Sequence, residues 1–156
     1  MQNSHIIGGE FGINLQGFQY AQSNNGFLEG IYKYSSGRSA LYYILLDVQK
    51  RYGITTAYLP NYLCSSVVVA AEKSQVKVVF YNLNDQLEID IEKFPLDDNE
   101  KAAVLLINYF GLKSLQLQVE LVRSISMEAI VIEDDVQAFY EFCKPELAAD
   151  YKFTSL

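Results

Sequence analysis

Histidine is almost missing from this chain, since His5 is the only one and lies close to the start of the sequence. This scarcity excludes Ser-His and Cys-His catalytic triads and histidine-rich zinc sites, and much hydrolase chemistry with them. Cysteine is scarce as well, and Cys64 and Cys143 do not have the spacing of a metal site. We expect both thiols to be reduced and buried rather than joined in a disulfide bond.

Basic residues and long apolar runs are also lacking. The chain has 12 Lys and Arg against 19 Asp and Glu, a formal charge of −7, and no basic cluster longer than Lys50-Arg51. Nucleic acid is therefore excluded as a partner, because binding to phosphates needs a cationic face. The sequence also has no run of about 18 apolar residues and no secretory signal pattern, so we expect no membrane span and a cytoplasmic protein.

What the sequence contains is a regular alternation of helical and strand-like segments. Its 156 residues are 50% apolar and 13% aromatic, enough for one domain with a sizeable core. Helical spacing and capping residues predict helices after Ser35-Ser36-Gly37, with Gly53 at the end, after Ser65-Ser66, and over 115–122. Strand-like runs occupy 57–59, 76–81, 102–107 and 129–132, the first of them stopped by Pro60.

This order predicts the architecture. Two apolar strands joined by a helix are most simply parallel neighbours, because a parallel pair needs a crossover of that length. We predict an α/β fold in which residues 31–156 form a three-layer, mostly parallel sheet with helices on both faces. Residues 1–30, rich in Gly, Asn and Gln, are predicted to be an extended N-terminal arm that crosses to a partner subunit.

The most informative segment is the buried run Ile130–Ile132, which leads directly into Glu133, Asp134 and Asp135, with Gln137 following. Open α/β sheets bind their ligands at the carboxyl ends of such strands. A carboxylate there stays ionised only beside a cation, which could be a metal, a guanidinium or a protonated ring nitrogen. Three adjacent acids could bind magnesium, and the alternative is a loop of solvated acids.

A second candidate is the start of the first helix, Ser35–Ser39. Backbone N–H groups and the positive end of the helix dipole could bind a phosphate there, with Ser36, Gly37 and Arg38 as the contacts. The alternative is ordinary N-capping with Arg38 in solvent.

Two further candidates follow strands. Tyr62, just beyond Pro60, could stack on a flat ligand, or it could be one of many packed tyrosines. Asn108-Tyr109-Phe110-Gly111 follows another buried strand, where it could line the same crevice or simply form a turn.

Together these segments resemble a known family. Ser36–Leu41, Leu59–Tyr62, Asn108–Gly111 and Ile132–Ala138 are similar, in order and spacing, to landmarks of the DegT/StrS-type sugar aminotransferases. Members of that family are pyridoxal-phosphate (PLP) enzymes of the aspartate-aminotransferase fold. The resemblance covers nearly the whole chain, which would correspond to the N-terminal part of the PLP-binding large domain of a fold type I enzyme, incomplete at its end.

The resemblance implies roles for individual residues. Ser36, Gly37 and Arg38 would hold the cofactor phosphate, and Asp134 would pair with the protonated pyridine nitrogen. Gln137 would touch the ring or its hydroxyl. Tyr62 is chosen as the stacking residue, although the stacking aromatic of many relatives falls nearer Cys64.

Some positions depart from the family pattern. Arg38 stands where relatives often carry Thr, Asn108 where they often carry His, and Asp135 where they carry a small residue. The resemblance further implies a homodimer, a nucleotide-linked keto-sugar substrate and an amino donor.

One family element has no counterpart. The Schiff-base lysine of the family follows a segment resembling Asp150–Ser155, whereas Lys152 lies inside that segment and is not assigned this role. The sequence therefore allows three interpretations: a fragment or inactive form of such an aminotransferase, a non-catalytic remnant that binds a phosphate ligand or dimerises, and an acidic α/β domain with a magnesium site at Glu133, Asp134 and Asp135.

Overall fold

The computed structural model of the chain describes residues 32–138 and 149–155. The predicted arm at 1–30, with His5, and also Cys143 lie outside the described residues. The helices are α1 (Gly37–Tyr52), α2 (Ser65–Ser74) and α3 (Gln116–Ile125), with short 3-10 turns at Ile91–Lys93 and Tyr109–Gly111. The strands are β1 (Thr56–Pro60), β2 (Lys77–Tyr81), β3 (Ala103–Ile107), β4 (Ile130–Asp134) and β5 (Tyr151–Phe153).

The five strands form one sheet in the order β2-β1-β3-β4-β5, and every neighbouring pair is parallel. Helices α1 and α2 cover one face, where they pack on Leu59, Leu105 and Ile132. Helix α3 covers the other face through Val119 and Val122. We call these the α1 face and the α3 face. The predicted three-layer α/β fold is confirmed.

Helix α1 begins and ends as the sequence predicts. Ser36 is the N-cap residue, and its hydroxyl accepts a hydrogen bond from the backbone N–H of Ser39. Gly53 ends the helix with φ of 69°, a left-handed conformation that costs glycine little. The buried stripe of Leu41, Leu45 and Val48 faces the sheet.

The ambiguous segment after Leu115 is a helix. Its buried residues are Val119 and Val122, whereas Leu117 is exposed, as a helical stripe requires and strand alternation does not. The helix joins β3 to β4, which are parallel neighbours in the sheet. The helical crossover predicted between the two parallel strands is therefore confirmed.

Two strands extend further at their carboxyl ends than the sequence predicts, and one strand was not predicted. Pro60 belongs to β1 and pairs in register with Tyr81. It is tolerated because β1 pairs with β3 only at Ala57 and Tyr58, so the missing N–H breaks no ladder bond on that side. β4 continues to Asp134 because its last two residues pair both with β3 and with β5, a strand that the sequence did not indicate.

Among residues 32–138 and 149–155, none of the helices combines the length and the apolar character that a membrane crossing requires.

Candidate functional site

All five strands end at one edge of the sheet, which we call the carboxyl edge. Because helices α1 and α2 return antiparallel to the strands, their N-termini also lie there. Gly37, the first residue of α1, packs against Val136 and Phe153, which follow and end β4 and β5. The start of α1 and the tip of β4 are therefore neighbours, the arrangement that a shared ligand site needs.

The start of α1 is capped by a side chain. The Ser36 hydroxyl is used by the cap, and its oxygen lies 3.1 Å from the Ser39 hydroxyl. The N–H groups of the first helical residues, Gly37 and Arg38, have no partner within the helix, as at any helix start. The capping alternative is thus correct for Ser36, and the donors left for an anion are backbone N–H groups and the positive end of the helix.

Gly37 is required by close packing. A Cβ atom at this position would lie 3.1 Å from Cγ2 of Val136, 3.5 Å from Cβ of Ser155 and 3.6 Å from Cε2 of Phe153. A Cβ atom would therefore require Val136 to move by a few tenths of an ångström. The glycine therefore allows the helix start to lie directly against the tip of β4.

Asp134 is the last residue of β4 and is 6% exposed. Its carboxylate accepts a hydrogen bond of 2.9 Å from the backbone N–H of Val136. Burial raises the pKa of Asp134 to about 6, the hydrogen bond from Val136 lowers it in part, and the charge of Asp135 raises it further. Within the described residues no Lys or Arg forms an ion pair with Asp134.

The charge of Asp134 affects the pKa of two groups at the carboxyl edge. Burial raises the pKa of the Tyr109 hydroxyl, and the Asp134 carboxylate adds to that effect. Hydrogen bonds from the Ser66 side chain and backbone lower the pKa of the Cys64 thiol, and Asp134 opposes this. Asp134 therefore has Tyr109 and Cys64 as electrostatic neighbours.

Cys64 itself corrects a prediction. The thiol is exposed rather than buried, because Cys64 is the N-cap residue of α2 at the carboxyl edge. Its sulfur accepts a hydrogen bond of 3.2 Å from the Ser66 hydroxyl. The prediction that Cys64 is buried was wrong. Free cysteines are usually buried, but the position of Cys64 at the start of α2 exposes it.

Tyr62 lies at the same edge with 60% of its surface exposed. Its ring centroid is 5.8 Å from that of Tyr109, and its backbone carbonyl accepts a hydrogen bond from the Tyr109 hydroxyl. Tyr62 is thus anchored through its backbone, while much of its ring faces solvent and is available to a flat ligand.

Arg38 and Gln137 are both exposed. Arg38 is the second residue of α1, and Gln137 lies in the turn after β4, which closes with a hydrogen bond from Ala138 N–H to the Asp135 carbonyl. Both belong to segments that meet at the carboxyl edge.

The other two acids of the run lie elsewhere. Strand alternation places Glu133 on the α3 face, opposite to Asp134. There Glu133 and Asp135 lie 3.6 Å and 3.0 Å from the ammonium group of Lys152, and all three are at most 7% exposed. Asn108 donates a 3.0 Å hydrogen bond to Asp135. Sequence reasoning missed this cluster, although alternation along β5 could have indicated Lys152.

The magnesium alternative is not supported by this arrangement. The three carboxylates do not converge, and the described part of the chain contains no group of three or more His, Cys, Asp or Glu side chains that could hold a metal ion. Burial raises the pKa of Glu133 to about 7, with the charge of Asp135 adding to it and Lys152 opposing it. An ammonium group thus takes the place that a metal would need.

No family model and no curated protein matches this sequence. Solved structures do match. A sphingosine-1-phosphate lyase from Burkholderia pseudomallei has a TM-score of 0.55 at 9% identity, over 69% of this chain and 27% of that one. A variant of GDP-4-keto-6-deoxymannose-3-dehydratase with bound GDP-perosamine has a TM-score of 0.55 at 21% identity, over 66% and 28%.

An aromatic amino acid aminotransferase from Psychrobacter sp. B6 has a TM-score of 0.50 at 16% identity, over 64% of this chain and 28% of that one. These neighbours are fold type I PLP enzymes. This chain has part of their fold. Identities this low establish the fold alone, and the chain spans little more than a quarter of the length of these structures.

Proposed function

We propose that this chain supplies the phosphate and pyridine contacts of a PLP-dependent aminotransferase that acts on a nucleotide-linked keto-sugar, as a homodimer in the cytoplasm. The observation that carries the proposal is Asp134, a carboxylate buried beside the start of α1 without an ion pair in the described residues. Burying such a group is costly unless a cation meets it. A protonated pyridine nitrogen would supply such a cation.

The phosphate end of the cofactor fits the start of α1. Backbone N–H groups of Gly37 and Arg38 and the positive end of the helix dipole favour a phosphate. The absence of a Cβ at Gly37 keeps this helix start against the segment after β4. Ser36 contributes by fixing the helix start through its cap.

The ring end fits the tip of β4. With a pKa of about 6, Asp134 is mostly ionised at neutral pH and can accept a hydrogen bond from a pyridinium N–H. Tyr62 and Gln137 are exposed in segments that lie at this edge, where they can contact the ring. When bound, PLP supplies an electron sink for the substrate carbon.

The substrate class rests on the resemblance of the four sequence segments to sugar aminotransferases. The fold match to the sugar-nucleotide dehydratase with bound GDP-perosamine agrees with that class. A nucleotide-linked keto-sugar, an amino donor and a second copy of the chain are the proposed partners.

Lys152 does not serve as the covalent lysine in this proposal. Its side chain is 7% exposed, pairs with Glu133 and Asp135, and lies on the face of the sheet opposite to Asp134. A lysine nucleophile must be able to reach the ligand, and the ion pairs and the position of Lys152 on the other face oppose this. We propose that this chain by itself does not catalyse transamination.

The test is PLP binding to the full 156-residue chain, followed by fluorescence and phosphorus NMR. We expect Asp134→Asn to weaken PLP binding by about tenfold or more, because the charge-assisted hydrogen bond is lost. The exposed acid in Asp98→Asn is the matched control and should leave binding unchanged. Equal PLP affinity of Asp134→Asn and wild type would refute the ring-nitrogen contact.

Two further measurements separate the alternatives. Inorganic phosphate that competes with PLP and binds Asp134→Asn as well as wild type would favour the non-catalytic phosphate-binding remnant. Borohydride reduction followed by peptide mapping should give no stoichiometric adduct at Lys152. Such an adduct would contradict the assignment of that residue.

A further inference from the structure

Four polar residues with buried side chains form a cluster on the α3 face directly behind the carboxyl edge. We call Asn108, Glu133, Asp135 and Lys152 the buried charge cluster. Asp135 is fully buried, and its Oδ2 accepts no hydrogen bond within the described residues, so the ammonium group of Lys152 at 3.0 Å compensates it. A buried charge of this kind is retained only when a partner offsets it.

The cluster holds the backbone of Asp134 from both sides. The N–H of Asn108, which follows β3, donates a 2.9 Å hydrogen bond to the Asp134 carbonyl. The N–H of Asp135 donates a 2.9 Å hydrogen bond to the carbonyl of Phe153 in β5. The side-chain bond from Asn108 to Asp135 and the ion pair to Lys152 then tie the same three strands together. These contacts hold the backbone on both sides of Asp134 in place.

The cluster also sets the charge next to Asp134. Asp135 is its neighbour in sequence, and two adjacent carboxylates oppose each other's ionisation. The ammonium group of Lys152 lies 3.0 Å from Asp135, so its positive charge offsets the negative charge of the carboxylate next to Asp134.

We propose that Lys152, Asp135 and Asn108 are positioning residues for Asp134: they fix the tip of β4 and balance the charge beside it, so that Asp134 meets the pyridine nitrogen in its ionised form. The role toward PLP rests on the proposed function, whereas the charge coupling does not. Lys152 is thus an electrostatic support in this site rather than a nucleophile.

Other titratable groups near Asp134 could also affect its pKa. From the segment after β3 comes the Tyr109 hydroxyl, whose pKa is raised by burial, and from the start of α2 the Cys64 thiol. Glu133 faces Lys152 from β4. None of these carries the positive charge that Lys152 supplies.

The experiment is a carboxyl-carbon NMR titration of Asp134 in the full chain without cofactor. We expect Lys152→Gln to raise the pKa of Asp134 by about one unit and Asp135→Asn to lower it by about one unit. The double variant should lie between the two single variants. Lys152→Arg, which keeps the charge, and Lys93→Gln, which alters an exposed ion pair, should leave the pKa unchanged.

Opposite signs from the two single variants cannot come from general loosening of the fold, which would move the pKa in one direction. If Lys152→Gln does not fold, Asp135→Asn decides: a lower pKa supports the proposal. An unchanged pKa of Asp134 in Asp135→Asn overturns it.

PLP binding by the same variants links the coupling to function. At about pH 6, Lys152→Gln should bind PLP about fivefold more weakly than wild type and Asp135→Asn about twofold more tightly, and both differences should vanish near pH 9. If neither substitution changes the affinity for PLP, the proposed positioning role of Lys152 and Asp135 in PLP binding is overturned. Shifted pKa values in a chain that binds no PLP would instead refute the proposed function and leave the charge coupling in place.

Discussion

Asp134 and Asp135 are adjacent in sequence, yet the fold treats them in opposite ways. Asp135 is fully buried on the α3 face, where Asn108 and Lys152 satisfy it. Asp134 is buried beside the start of α1 and receives one backbone hydrogen bond. Its pKa is raised to about 6 by burial.

This difference separates stability from function. A carboxylate with its partners in place contributes to the fold, whereas a buried carboxylate without an ion pair costs stability and is poised for a cationic ligand. In the run of three acids, Glu133 and Asp135 thus have a structural role, whereas Asp134 is the candidate ligand-binding residue. Substitutions on the two faces should therefore have opposite consequences.

The largest expected effect is on the α3 face. Lys152→Met leaves Glu133 and Asp135 buried without their cation, and should lower the free energy of unfolding by about 3–5 kcal/mol in urea denaturation. Lys93→Met removes the lysine of an exposed pair and serves as the control, with no measurable change expected. Equal midpoints for the two variants would remove the distinction between the faces.

The next effect has the opposite sign. The pKa of Asp134 is raised from 3.8 to about 6 in the folded chain, so its contribution to stability is full below pH 3.8 and is lost as the pH rises through about 6. The difference corresponds to about 3 kcal/mol. Asp134→Asn should therefore be more stable than wild type by up to that amount at about pH 8, while it loses PLP affinity.

Urea denaturation of wild type and Asp134→Asn at about pH 4 and about pH 8 measures this gap. We expect it to be small at the lower pH and large at the higher. A variant that is less stable than wild type at about pH 8 would mean that Asp134 is a structural residue like Asp135.

A smaller effect is expected at the junction of α1 and β5. The Tyr151 hydroxyl donates a 2.6 Å hydrogen bond to Asp47, which joins the helix to the edge strand on the α1 face. Tyr151→Phe should cost about 1 kcal/mol of unfolding free energy. PLP affinity should be unchanged, because the bond lies away from the start of the helix, and a large loss of PLP binding would contradict this.

The smallest effect on stability is expected at Tyr62. Since 60% of this residue is exposed, Tyr62→Ala should change the free energy of unfolding by less than about 0.5 kcal/mol. PLP affinity should fall about threefold if the ring stacks on the cofactor. If both the PLP affinity and the stability are unchanged, Tyr62 has no role in ligand binding, which is the alternative interpretation of the sequence.

Local patterns predicted the elements well because their causes are local. The Ser36 cap, Gly53 and the apolar stripe of α1 act within a few residues of one another. The β3 to β4 crossover followed from length alone. Strand ends were less predictable, since Pro60 and Asp134 belong to strands only through pairing with distant segments.

The candidate site could be predicted in part. Order and spacing indicated that Gly37 and Asp134 belong to one site, and the structure places the segments that carry them side by side. The exposure of Cys64 and the burial of Asn108 were not predictable, because both depend on which elements meet at the carboxyl edge. The roles of Ser36, Arg38, Tyr62 and Gln137 toward PLP stay predictions.

The sequence by itself determined that this chain alternates helices and parallel strands and that an apolar strand leads into three acids. Only the tertiary structure decided which acid faces which side, because alternation turns neighbouring side chains to opposite faces and the partner of two of them, Lys152, lies 17 or more residues further along the chain. Charge compensation depends on distance in space, and residues distant in sequence become neighbours only when the sheet has formed.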